Sequence, residues 1–199
     1  MSSSINASLT AGLIQTADTS GILNLQSNGT TIASVSSTGV AVTGTLSASG
    51  GIVKSSLPTG SVLQVVNGTY PNVTSSSSST FADTGLTASI TPTSATSKIL
   101  VLVNHAGCAK NTSDTKLQLR LLRGASEIQR LGDLDGYTGS TANSYFGSVS
   151  SSYLDSPATT SSTTYKTQLA SGSNTGTVAI GQYTSTFATS TITLMEIAA

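Results

Sequence analysis

Charge is almost missing from this chain, and that narrows its folding options more than any motif does. Eight Lys and Arg and eight Asp and Glu make up 8% of its 199 residues, where about a quarter is usual. Ser and Thr fill about 70 positions instead. Disordered chains combine low hydrophobicity with high net charge, whereas this one has net charge zero and a mean hydropathy of +0.13, so it is expected to fold. Ser and Thr set among Val, Ile and Leu, with no Trp and 5% aromatics, suit pleated strands and short turns better than helices. The expectation is an all-β protein. A soluble monomer normally relies on charge to hold its surface off its neighbours. A chain without it sits in an assembly or presents a neutral hydroxyl surface outward.

Length allows one ordinary domain with an appendage. No run of 18 apolar residues occurs, so no membrane insertion is expected. The stretch Met1 to Asn6 has neither a basic nor an apolar region, so no signal peptide is expected there. Cys108 is the single cysteine, which excludes an intrachain disulfide and fits a reducing cytosol. Display-type chemistry without a secretion signal fits a particle assembled in the host cytoplasm and freed by lysis. Net charge is zero and basic residues cluster only at Arg120, Arg123 and Arg130, so the electrostatic footprint of nucleic-acid binding is missing.

Residues 1–53 form one compositional block in which Asp18 is the sole charge. Turns at Ser20-Gly21, Asn28-Gly29, Thr38-Gly39 and Ser49-Gly50 separate the short apolar-alternating pieces Ile22–Leu25, Thr31–Val35 and Val40–Val42, a strand and a turn about every ten residues. Residues 5–17 could form a helical turn or two. So few medium-sized apolar side chains cannot bury enough surface for a fifty-residue unit to stand alone. Partners must complete its core. Three chains sharing an axis would do so, with Ile22, Leu25, Ile32, Val35, Val40 and Val42 as the core of a stalk or docking segment. A flexible linker is the alternative, but linkers rarely carry regularly spaced Ile, Leu and Val.

Residues 54–60 read as a hinge, with breakers at Pro58 and Gly60. Residues 61–199 hold nine strand candidates separated by polar turns, a spacing expected of a jelly-roll-like antiparallel β-sandwich. Lys116 to Leu121 alternates strictly: Leu117, Leu119 and Leu121 should face a core, and Lys116, Gln118 and Arg120 water. Ile99 to Val103 is apolar on both sides, which requires something to cover its outer face. A subunit interface is the natural cover.

The run Gly60 to Val66, then Thr80 to Leu86, then Ile90 to Ser94 leading into Ser97 to Val101, resembles the C-terminal domain of tail-fibre-like virion structural proteins of tailed bacteriophages, including marine phages. Leu119 to Gly124, Tyr153 to Pro157 and Thr191 to Ala198 resemble the same family, in order over about 140 residues. Thr43 to Gly50 resembles the stalk repeats that precede such knobs. The resemblance implies a non-enzymatic virion protein, a homotrimeric short fibre or knob held to other virion proteins by its N-terminal segment. Its C-terminal domain would be displayed for attachment to host surface glycan or protein. The chain is short for a fibre, which leaves tail, neck and capsid surface open, and a capsid decoration (cement or head-fibre) protein is the main alternative. A polysaccharide depolymerase is a weaker one.

Candidate chemistry is sparse. His105 and Cys108 sit three apart, but zinc needs four ligands and no second pair exists, so a buried neutral histidine and an inert thiol are expected, and no metal or other cofactor. A lone histidine also argues against a Ser-His-Asp site. Asp133-Leu134-Asp135-Gly136 lacks the later ligands of a calcium loop and is expected to form an Asx-type turn. Glu127, Asp133, Asp135 and Asp155 show no pairing of the kind glycan hydrolysis needs, and are expected as turn residues or partners of Arg120, Arg123 and Arg130. No catalytic residue is assigned. Asp133, Asp135, Tyr137 and Tyr145, in the Gly/Ser-rich part of the second unit, are the candidate receptor contacts.

Overall fold

A computed structural model of the chain describes residues 20, 22–45, 57–173, 176–182 and 188–199. The expected helical turn at residues 5–17 and hinge positions 54–56 lie outside them. The chain divides into two compact units, Met1–Ile52 and Val53–Ala199. Among the described residues there is no helix.

The first unit is a three-stranded antiparallel meander of β1 (Leu23–Ser27), β2 (Thr30–Ser36) and β3 (Gly39–Val42). Asn28 and Gly29 both have positive φ, 50° and 74°, which makes the β1–β2 connection a two-residue turn that only such residues adopt readily. Register aligns Leu23 with Val35 and Val40, and Leu25 with Ala33 and Val42. Directly opposed residues share a face, so this face is apolar.

The second unit contains β4 (Val62–Tyr70), β5 (Thr74–Ser76), β6 (Ala82–Ile90), β7 (Lys98–Lys110), β8 (Leu117–Arg123), β9 (Ser126–Asp135), β10 (Ser144–Asp155), β11 (Thr163–Ser171), β12 (Val178–Ile180) and β13 (Ser190–Ile197). The nine expected strands are all present, and β5 is an addition. One sheet has the order β4-β13-β7-β10, with β12 and β5 continuing from the far half of β7; the other has the order β6-β11-β8-β9. Apart from the short β5 and β12, eight strands thus fill two four-stranded sheets, and every connection between successive strands except the β8–β9 hairpin passes from one sheet to the other. This is the connectivity of a jelly roll.

Alternation places the core between the sheets. Leu86, Ile90, Ile99, Val101, Leu121, Tyr165, Ile192 and Leu194 form one cluster, and Cys108, Leu117, Leu119, Leu169, Val178 and Ile180 a second. β7 feeds both. Leu117, Leu119 and Leu121 face inward as the alternation requires, and Gly124 (φ 59°) makes the tight turn into β9. At the end where the chain enters, β4 is latched to the last strand by Gly60 N–H to Ala198 O (2.8 Å) and Ala198 N–H to Ser61 O (2.9 Å).

Two buried carboxylates fasten this entry end. Asp155 accepts both oxygens' bonds from Arg123 Nη1 (2.9 Å each) and one from the buried Tyr165 hydroxyl (2.6 Å). Burial and that bond push the Tyr165 phenol well up. Glu196, on β13, takes bonds from Thr93 N–H and Oγ1 (2.7 Å each) and Gln64 Nε2 (2.6 Å). Burial alone would raise its carboxyl, but these donors outweigh it and hold it below the ordinary range.

Candidate functional site

The outer faces of the two sheets are chemically opposite. On the β6-β11-β8-β9 sheet, ionic and amide side chains form a ladder across all four strands. Asp83 accepts from Lys166 Nζ (2.8 Å) and Gln168 Nε2 (2.7 Å), and Gln168 Oε1 accepts from Arg120 Nη2 (2.6 Å). Glu127 then accepts from Arg120 Nη1 (2.8 Å) and Arg130 Nε (2.6 Å). The guanidinium carbons of Arg120 and Arg130 stand 4.2 and 4.6 Å from the centre of the Phe81 ring. Donors from Lys166 and Gln168 hold the Asp83 carboxyl below its usual range. Burial works against the two arginines at Glu127, but the arginines prevail and its carboxyl is lowered as well.

The β4-β13-β7-β10 face carries no ionisable side chain over the stretch where its four strands run side by side. Register aligns Thr69, Thr191, Asn104 and Ser150 in one row, then Asn67, Thr193, Leu102 and Ser152, then Val65, Met195, Leu100 and Leu154. Asn67 Nδ2 donates to Thr193 Oγ1 (2.8 Å) and Ser150 Oγ to Asn104 Oδ1 (2.7 Å), two bonds that run laterally between neighbouring strands. The apolar outer side of Ile99 to Val103 noted in the sequence is therefore real, and among the described residues of this unit none covers it fully: Leu102 is exposed.

The candidate receptor contacts collect at the end of the sandwich opposite the chain entry. Asp133 and Asp135 do not form the expected Asx-type turn; both lie on β9, because pairing with β8 continues through Asp135 opposite Leu117 and the chain turns only at Gly136 (φ 69°). Asp133 accepts from Gln118 Nε2 (2.5 Å). Asp135 packs over Gly132, where any Cβ would collide with its carboxylate, and burial together with the charge of Asp133 raises its carboxyl. Neither aspartate pairs with an arginine, whereas Glu127 and Asp155 do as expected. Tyr137 and Tyr145 are both more than half exposed. The Tyr137 hydroxyl donates to Asp114 Oδ1 (3.1 Å), which raises its phenol. Tyr145 edges a separate cleft of about 380 Å³ with Asn111, Asn143, Thr177 and Gln182. The four residues share one end of the sandwich without converging on one pocket. Phe146 packs toward the core.

Of the six side chains expected in a stalk core, Leu25, Val35, Val40 and Val42 share the apolar face of the first unit. Ile32 belongs to the opposite face, and Ile22 precedes β1. All six are between 38% and 66% exposed.

His105 is buried on β7 with no hydrogen-bond partner for either ring nitrogen among the described residues, and burial lowers its pKa to about 4. Cys108 is buried beside it; desolvation pushes the thiol up to about 12, leaving it inert. Among the described residues no three His, Cys, Asp or Glu side chains gather as a metal site would require. Apart from the pairing of Glu127 with the nearby arginines, the ionic ladder escaped sequence reading, since its members lie up to 85 residues apart.

No protein-family model matches the chain, and no curated protein matches it. Among solved structures it is similar to the infectious bursal disease virus VP2 subviral particle, with 16% identity and a TM-score of 0.35 over 70% of this chain and 38% of that one. The chain thus spans less than two-fifths of that neighbour's length, and its jelly-roll assignment stands on strand order alone.

Proposed function

We propose that the protein is a non-enzymatic structural component of a tailed-phage particle, a homotrimeric short fibre or knob attached through its first unit and displaying its jelly roll for contact with the host surface. The exposed apolar face of the first unit carries this reading. Leu25, Val35, Val40 and Val42 lie on one side of a single three-stranded sheet and stay exposed there, and a unit this small with so few apolar side chains buries too little surface to be stable without something packed on that face. Sister copies supply that packing without any further component. The family resemblance supports the virion setting. The engagement of Asp83, Glu127, Asp133, Asp155 and Glu196 by fixed partners supports a role without catalysis.

Light scattering on the full chain at micromolar concentration tests the reading. Three chain masses are expected, and Val35→Asp, which places a charge on the apolar face, should lower that mass. A single-chain mass for the unaltered protein overturns it. Gold-labelled antibody on the parent particle then locates the chain; label confined to emptied heads would replace the fibre with a decoration role.

A further inference from the structure

We infer that the jelly roll carries its own homotypic interface, the neutral outer face of β4-β13-β7-β10, and that its occupant is the same face or its neighbouring edge on a second copy of this chain. The inference rests on the self-assembly reading only in taking the partner to be another copy, and it concerns a surface separate from the first unit.

Charge distribution argues for the occupant. Asp83, Arg120, Glu127, Arg130 and Lys166 all lie on the other sheet, and Lys98 sits at the end of this face with its ammonium on Ser156 Oγ (2.7 Å), so two copies can bring the rows from Leu100 to Asn104 together without opposing like charges or desolvating ions. Chemistry at the centre agrees. Val65, Met195, Leu100 and Leu154 form a continuous apolar row over four strands, with Leu102 beside it; Val65 and Leu154 are 55% and 56% exposed. Among the flanking groups Asn67 already bonds to Thr193 and Ser150 to Asn104, so covering these two pairs costs less than covering free donors. The four strands run side by side over Ile99–Asn104 of β7, and at about 3.3 Å per residue and about 4.8 Å per strand that stretch spans roughly 20 by 19 Å, or about 380 Å². That is about half the area one partner contributes to a standard interface, so the contact is a small one.

Because the first unit alone could hold copies together, mass does not isolate this surface; cross-linking does. Cys108 is buried, so Leu102→Cys in the full chain creates one accessible thiol on the neutral face, and Gln118→Cys creates one on the ladder face as a control. With a short bis-maleimide at micromolar protein, Leu102→Cys should form covalent two-chain product on the order of a hundredfold faster than Gln118→Cys, the contrast between a held interface and less directed encounter. Adding Leu154→Lys to Leu102→Cys should abolish that advantage, with the far-ultraviolet spectrum and melting temperature of the fold retained. Equal rates for the two thiols while scattering still reports three chain masses would overturn this inference and leave the stalk reading standing. A fast Leu102→Cys reaction that Leu154→Lys does not slow would also overturn it, since the apolar row would then contribute nothing. A single-chain mass with equal rates would remove both.

Discussion

The two sheets share one core and differ on the outside. Inward, both present Leu, Ile and Val at alternate positions, and Leu119 on one and Leu194 on the other are equally inaccessible. Outward, the β6-β11-β8-β9 sheet carries five of the chain's sixteen charges in one ladder, whereas the β4-β13-β7-β10 sheet has only Lys98 at the end of its outer face and none over the rows from Leu100 to Asn104. The chain's few charges are thus unevenly shared between two faces.

The comparison predicts equal losses inside and unequal ones outside. Leu119→Ala and Leu194→Ala should each lower the unfolding free energy by about 3 to 5 kcal/mol, as fully buried leucines do, measured by urea titration. A large inequality between them would mean that the sheets do not share one core. His105 should impose a pH dependence of similar size. Its ordinary pKa of 6.5 falls to about 4 in the fold, so the unfolded chain takes up the proton first. Stability is full above 6.5 and declines by about 1.4 kcal/mol per unit down to about 4, on the order of 3 to 4 kcal/mol altogether. His105→Leu should flatten the profile across that window, and an unchanged slope would place the titrating group elsewhere.

Outside, Arg120→Ala should cost about 1 to 2 kcal/mol, because it strips the Phe81 ring and leaves Gln168 and Glu127 short of a donor. Thr193→Ala on the neutral face should stay within about 0.5 kcal/mol in the dissociated chain. The smallest effect is expected at Asp135, whose raised carboxyl makes its ionised form a burden: stability from this group is present at low pH and lost as pH rises. Asp135→Asn should raise the melting temperature slightly at pH 7 and not at pH 3. A fall at pH 7 would show that the ionised carboxylate is needed.

Much of the architecture is written in local pattern. The alternation of Leu117, Leu119 and Leu121, the Asn28-Gly29 turn and the two-sided apolarity of Ile99 to Val103 each need only a few neighbouring residues to be read. β5 was not legible, because Thr74 to Ser76 sits in a serine run with no apolar period; pairing with β12 makes it a strand. Asp133-Leu134-Asp135-Gly136 misled for the opposite reason. Its composition is that of a turn, yet the register with β8 holds it extended until Gly136. Of the ladder only the pairing of Glu127 with the nearby arginines was legible; the rest was not, since Asp83 and Lys166 become neighbours only once β6 and β11 pair. Which apolar stalk residues share a side also waited for register: Ile32 has the same spacing as its neighbours but looks the other way.

The latch at the entry end has a mechanical consequence. A tug on the chain ahead of Gly60, directed along the strands, reaches β4 first, and β4 is held lengthwise by its whole ladder with β13, from Val62 opposite Ile197 to Tyr70 opposite Ser190. Loaded in shear, those bonds yield together and not one by one. A jelly roll pulled in this direction gives way only when the whole ladder does.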